Sequence, residues 1–320
     1  MARKKNPSTQ RNYIVRLIKI GLKWLSHSSN VSQADIQEMK QTLEQIEAEA
    51  TGDRNLPTVA MGDLTLKDVE DIFGLEKLTP KNEREGGKWD LVPFNSTEVP
   101  DSEDFEDFYD HLCQDLQYLD FANHNSKRSE ALVRTHLDVI LGLVLGWAKE
   151  DGQIIRGNLV SWGYETPFHM VIKMNAKKKM LRGRPDYALW YGAQANLETN
   201  LVIVEAKTSD EIGKGERQVL AYMGLVHAGR KKRGKDDTTV YGIATDSIKF
   251  LFYRIDHSSK WCSMILTWGQ TQEENKSIVG LLLRIMKMAS DQSPTHTREN
   301  TSQDRQFNSS AGEDIPMQDC

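Results

Sequence analysis

Apolar positions change their period several times along this chain, and each change marks an element. Ile14, Leu17, Ile18 and Leu22 recur at helical spacing, and Met39, Leu43 and Ile46 repeat the pattern over Gln33–Ala50. Two N-terminal helices are therefore expected. Residues 51–100 read as irregular, apart from a short helix over Thr65–Phe73. Phe105, Phe108, Tyr109, Leu112 and Leu116 carry the helical period again. The run from Lys127 to Lys149 (Leu132, Val133, Leu137, Ile140, Leu141, Val144, Leu145) is apolar enough for a central helix. Asn125 or Ser126 is its expected N-cap. Strand-like runs follow at His169–Met174, Tyr187–Tyr191 and Leu201–Lys207. After a helix over Arg217–His227 come strands at Val240–Thr245, Ile248–Ile255 and Cys262–Thr267, and a closing helix at Ser277–Met288. From Asp291 onward the chain is polar without apolar period, the pattern of a disordered tail.

The most informative stretch runs from Arg182 to Lys207. Side chains alternate along a strand, so Glu205 and Lys207 point one way while Val202, Val204 and Ala206 point the other. Two charges ending an apolar strand are costly to bury unless paired or bound to a metal. Asp186 follows Pro185 at the head of the preceding strand, and antiparallel pairing would set its carboxylate beside Glu205. The plain alternative is an exposed charge set on an edge strand.

Pro185-Asp186 followed by Glu205-Ala206-Lys207 resembles the motif of the PD-(D/E)XK nuclease superfamily. Gln218 and Tyr222, a Q-x-x-x-Y pair on the next helix, resemble its RecB-like branch. The resemblance covers roughly Ser126 to Tyr253. It implies an α/β (α+β) restriction-endonuclease-like fold, with a mixed sheet of about four or five strands flanked by helices. It also implies a metal-dependent nuclease. Asp186 and Glu205 would hold Mg²⁺, with Mn²⁺ as substitute, and the Ala206 carbonyl would be a third ligand. Lys207 would orient or help deprotonate the attacking water, or stabilise charge on the phosphate. In that family a helix ahead of the first strand often adds an acidic ligand. Glu130 is the position matched to it, Asp138 the runner-up, and the plain role of Glu130 is to complement its helix dipole. Gln218 and Tyr222 would position the site or contact nucleic acid, and Arg184 and Arg217 would accompany them. The alternative is a catalytically inactive module of the same fold.

Charge sharpens this picture locally. The net charge is −5, yet seven Lys/Arg precede residue 25 with no acidic residue before Asp35. That suits either a nucleic-acid-binding arm or a docked helix with a solvated basic face. Glu98–Asp120 holds nine Asp/Glu and no Lys/Arg, which reads as a helix with an acidic outer face. Lys177–Lys179 reads as a basic turn, and Arg230–Arg233 with Lys235 as a cationic loop. Cys113, Cys262 and Cys320 lack metal-ligand spacing and cannot all pair, so a reducing compartment is expected. Arg16, Lys19 and Lys23 break any secretory apolar core, and no run reads as a membrane span. These features predict an intracellular protein, nuclear or cytoplasmic and not secreted. Its expected partner is nucleic acid, DNA ahead of RNA, with no membrane. A protein partner or a homodimer would use the N-terminal helices. The expected organisation is a helical arm and irregular segment over 1–100, a nuclease-like domain over 101–290 and a tail over 291–320.

Overall fold

The computed structural model describes residues 56–78, 89, 91–94, 102–124, 129–150, 155, 160–191 and 200–291. The two N-terminal helices, the Asn125/Ser126 cap and the tail beyond Asp291 lie outside the described residues. Strands β1 (Thr58–Ala60) and β2 (Glu76–Lys77) flank helix α1 (Leu66–Phe73). Helices α2 (Ser102–Ala122) and α3 (Glu130–Glu150) come next. Strands β3 (Val160–Tyr164), β4 (Phe168–Met174), β5 (Lys177–Gly183), β6 (Tyr187–Tyr191) and β7 (Asn200–Ala206) follow. Helix α4 (Ile212–Lys232) leads to β8 (Val240–Thr245), β9 (Lys249–Ile255), β10 (Lys260–Thr267) and helix α5 (Gln272–Asp291).

The fold is mixed α/β. A seven-stranded sheet has the order β2-β10-β9-β8-β7-β6-β3, and a smaller sheet has the order β1-β5-β4. In the large sheet β7 pairs with β8 in parallel, β2 with β10 in parallel, and the other neighbours antiparallel. A parallel neighbour cannot be reached by a tight turn. Helix α4 is the crossover from β7 to β8. Alternation sorts the strand residues between two cores. Tyr187, Leu189, Val204, Ala206, Ile243 and Phe252 face α2, α3 and α5. Ala188, Trp190, Ala244 and Tyr253 share the other core with Val219, Tyr222 and Met223 of α4.

Sequence and structure differ where a signal is short or set by tertiary context. The large sheet has seven strands instead of four or five. Its additions are the edge strands β2, two residues long, and β3, whose Val-Ser-Trp-Gly-Tyr has no clean alternation. The run at His169–Met174 is strand β4, but it belongs to the separate three-stranded sheet. Lys177–Lys179 is not a turn: it opens β5, and the turn is Asn175-Ala176, both with positive φ. The short helix expected over Thr65–Phe73 is α1, while the flanking segment read as irregular forms β1 and β2 and buries Met61 and Leu64. Thr65 and Asp68 close a capping box on α1. The N-cap of α3 is Ser129, whose hydroxyl accepts from Leu132 N–H at 3.3 Å. Of the residues read as a cationic loop, Arg230–Lys232 form the last turn of α4, and Arg230 is buried, donating to the Thr239 carbonyl.

Helix α2 lays Phe105, Tyr109, Leu112 and Leu116 on the core and keeps its acids outward. Helix α3 is long and apolar enough to cross a membrane by length and composition, contrary to the sequence reading. Eight of its residues are buried within the protein, among them Val133, Leu137, Ile140 and Val144. Cys113 and Cys262 are free thiols.

Gly242 of β8 lets α4 approach closely, since a Cβ there would meet Met223 and lie 2.6 Å from Val219 Cγ1. Gly242→Ala should therefore cost about 1–3 kcal/mol through overpacking, read as a lowered chemical-denaturation midpoint. An unchanged midpoint would show that α4 can shift without loss.

Candidate functional site

The corner between β5 and β6 brings the first carboxylate into place. Gly183 ends β5, and a Cβ there would lie 2.6 Å from the Tyr222 hydroxyl, so this position needs glycine for packing. Pro185 then leads to Asp186. Tyr187 pairs with Val204 in the β6–β7 ladder, which sets Asp186 level with Glu205. Ala206 N–H donates to Asp186 Oδ2 at 2.7 Å. Lys207 continues beside β8, its N–H donating to the Thr245 carbonyl at 2.9 Å. Its ammonium lies 2.9 Å from Glu205 Oε1 and donates to the Ala206 carbonyl at 2.8 Å. Asp186, Glu205 and Lys207 are 6%, 2% and 7% exposed, so the surface-charge alternative does not describe them.

The first turns of α3 close the site from the other side. Glu130 Oε2 stands 3.7 Å from Lys207 Nζ, and Glu130 Oε1 is 3.0 Å from Arg134 Nη2. Arg134 was not singled out in the sequence, although it sits one turn after Glu130 at a spacing that favours such pairs. Its guanidinium also bonds Asp186 Oδ1 and, at 2.9 Å, Glu165 Oε1. Glu165 gives no sequence signal. It occupies the β3–β4 turn at φ 47°, and its N–H donates to the Asp186 carbonyl at 3.1 Å.

Four carboxylates (Glu130, Glu165, Asp186, Glu205) thus face two cations, Arg134 and Lys207. Fully ionised, the cluster carries two uncompensated negative charges. Burial pushes Glu205 up to about 7, with the Asp186 charge adding to the rise and Lys207 opposing it. Burial also raises Asp186, partly offset by the Ala206 N–H and the Lys207 and Arg134 charges. Burial alone would lower the Lys207 ammonium, but Glu205, Asp186 and Glu130 outweigh it and hold it above its usual range. Glu205 Oε2 is buried with no hydrogen-bond partner.

That orphaned oxygen and the excess negative charge suit a divalent cation. Mg²⁺ is ordinarily held by one or two carboxylates while keeping several waters. Asp186 and Glu205 would hold it, with the Ala206 carbonyl, which has a second lone pair. Among the described residues no cluster of three or more His, Cys, Asp or Glu side chains can hold a metal ion. Glu130 is a partner of Lys207 and Arg134 in this arrangement. Asp138 is elsewhere, accepting from the Tyr187 hydroxyl at 2.8 Å.

Tyr222 and Gln218 lie at the corner, where burial raises the Tyr222 pKa and the Glu205 and Asp186 charges add to the rise. Tyr222 is buried, and the Arg184 backbone and the Gln218 side chain hydrogen-bond its hydroxyl. Gln218 Oε1 and Arg217 Nε are buried without hydrogen-bond partners. The Arg184 side chain is exposed and lines a cleft of about 410 Å³ with Arg182 and His169.

A carboxyl whose folded pKa exceeds its unfolded one contributes stability that is present at low pH and lost as pH rises through the folded value. For Glu205 that loss runs from 4.5 to about 7. The metal-free protein should lose thermal stability across that window. Mn²⁺ should raise the midpoint more above about pH 8 than below about pH 6, because the ligands must be ionised. An equal Mn²⁺ effect at both pH values would place the ion elsewhere.

No protein-family model matches this sequence, and no curated protein matches it, so the assignment of its chemistry rests on its residues.

Proposed function

We propose that this chain is a divalent-metal-dependent nuclease of restriction-endonuclease-like fold, hydrolysing phosphodiester bonds of nucleic acid, DNA ahead of RNA. The observation that carries the reading is the buried convergence of Asp186, Glu205 and Lys207 with one oxygen of Glu205 left unpartnered. A bound Mg²⁺, or Mn²⁺ in its place, would supply Lewis-acid polarisation and a water of lowered pKa.

The chain's own groups do the rest. Asp186 is aimed by the Ala206 N–H, and Glu205 by Lys207. Lys207 enters as an ammonium because the surrounding carboxylates raise its pKa, so it orients the attacking water and stabilises negative charge on the phosphate. Glu130 holds Lys207 and Arg134 in place. Tyr222 and Gln218 fix the Arg184 backbone and thereby the corner that carries Asp186. Arg184 and Arg217 attract phosphate toward the site. An intracellular location, nuclear or cytoplasmic, agrees with this chemistry.

A second reading, a non-catalytic module of the same fold, has a specific observation behind it. Arg134 already bonds Glu130, Glu165 and Asp186, as an internal cation would.

The two readings separate in a cleavage assay on single- and double-stranded DNA and RNA with Mg²⁺ or Mn²⁺. In the nuclease, Asp186→Asn and Glu205→Gln should each lower the rate about a hundredfold or more, with substrate binding retained. Lys207→Ala should abolish cleavage while calorimetry still detects metal binding. If the wild-type chain binds no divalent metal and cuts none of these substrates, the module replaces the nuclease.

A further inference from the structure

We infer that Arg134 is a phosphate-binding residue of the site, one that comes into play when a divalent cation takes its place on Asp186. The inference deepens the nuclease reading and rests on it for the identity of the ligand.

The guanidinium is tied to three parts of the chain. Nη1 donates to Glu165 Oε1 at 2.9 Å, in the β3–β4 turn. Nη2 donates to Glu130 Oε1 at 3.0 Å, one turn back on α3, and to Asp186 Oδ1. The second oxygen of Asp186 accepts from the Ala206 N–H at 2.7 Å, a donor fixed by the backbone of β7. A cation bound between Asp186 and Glu205 therefore takes Oδ1, the oxygen whose present partner is a side chain. That side chain is 35% exposed, against 5% for Asp186, so it has room to withdraw. Like charges on one oxygen repel, which favours the withdrawal. The count of charges permits it. Four carboxylates against two cations leave two negative charges, which one divalent ion neutralises while Arg134 keeps Glu130 and Glu165.

The donors of Arg134 point to the new partner. Its Nε is buried with no hydrogen-bond partner. Such a bond left unmade is costly, and a guanidinium serving only as an internal cation would have it paired. Leaving Asp186 frees an Nη2 donor on the same planar group. Nε and Nη2 share one edge of that plane, and two parallel N–H bonds from such an edge match a pair of phosphate oxygens. A cation on Asp186 and Glu205 draws phosphate to this side of the cluster. Arg134 thus changes partner from a carboxylate to the substrate, and a lysine, which has no such edge, does not replace it.

The test measures binding. Mn²⁺ is titrated by calorimetry into the wild-type chain and Arg134→Gln without nucleic acid. A duplex DNA oligonucleotide is then titrated with and without Mn²⁺, in a Lys207→Ala background so that it stays whole. Arg134→Gln should tighten Mn²⁺ about tenfold or more, the worth of the competing charged hydrogen bond. It should weaken oligonucleotide binding about tenfold or more with Mn²⁺, and leave it nearly unaltered without. Arg134→Lys should show the same metal-dependent loss, and decides the matter if Arg134→Gln does not melt cooperatively. The inference is overturned if Arg134→Gln binds Mn²⁺ no more tightly than the wild type, or if the oligonucleotide does not bind. It is overturned too if Arg134→Lys keeps full oligonucleotide affinity, or if the loss is equal with and without Mn²⁺. A wild-type chain that binds no Mn²⁺ removes it together with the nuclease reading. A metal-dependent loss in a protein whose wild-type chain cuts nothing upholds the role of Arg134 and sinks the nuclease reading alone.

Discussion

Taking the Glu205 carboxylate out of water is costly unless other charges and donors surround it. The rest of the site follows from that requirement. Lys207 is placed two residues on, so that one strand supplies both charge and counter-charge on one face. Asp186 is brought alongside by the ladder, which adds a second negative charge and raises the first carboxyl further. Arg134 and Lys207 recover part of the loss, and their own burial is tolerated because the carboxylates hold them charged. None of the four groups would be stable in its position alone. Removing a single partner from such a cluster is more damaging than replacing the whole cluster with apolar residues.

The sheet's centre was legible because period-2 patterns there are long and apolar. Strands β6 to β10 all lie close to their sequence-read limits, and the pairing of Asp186 with Glu205 followed from alternation plus a hairpin. The margins were not legible. Strand β2 has two residues, too few for a period, and β1 pairs with β5 across more than a hundred positions. The β4–β5 turn hid behind three lysines because Asn175-Ala176 lacks the glycine that usually marks such a turn. In the site, the residues that share a strand or helix with their partners were found. Arg134 was overlooked beside Glu130 because an i,i+4 pair is common on any helix. Glu165 could not have been found, since its links to Asp186, a backbone hydrogen bond and the shared Arg134, exist only in the folded chain.

Helix α4 has two roles at once. As a crossover it lets β8 lie parallel to β7, so the Lys207 N–H finds the Thr245 carbonyl. As a carrier it brings Tyr222 beneath Gly183, where its hydroxyl meets the Arg184 backbone. A substitution that shifts this helix therefore disturbs both ends of the Asp186–Glu205–Lys207 set together.

The same crossover has a kinetic meaning. The β6–β7 hairpin closes a short loop and can form early, whereas the parallel β7–β8 pair needs the whole of α4 to be in place. The contact of Arg134 with Asp186 spans a still longer stretch of chain, 52 positions. Local pairing can thus form before the charged cluster is complete. With only that hairpin in place, Asp186 already lies beside Glu205, but the Thr245 partner of Lys207 and the bridging Arg134 are missing. The complete charged cluster is a property of the finished molecule, because it needs α3, the β6–β7 hairpin and the α4 crossover together.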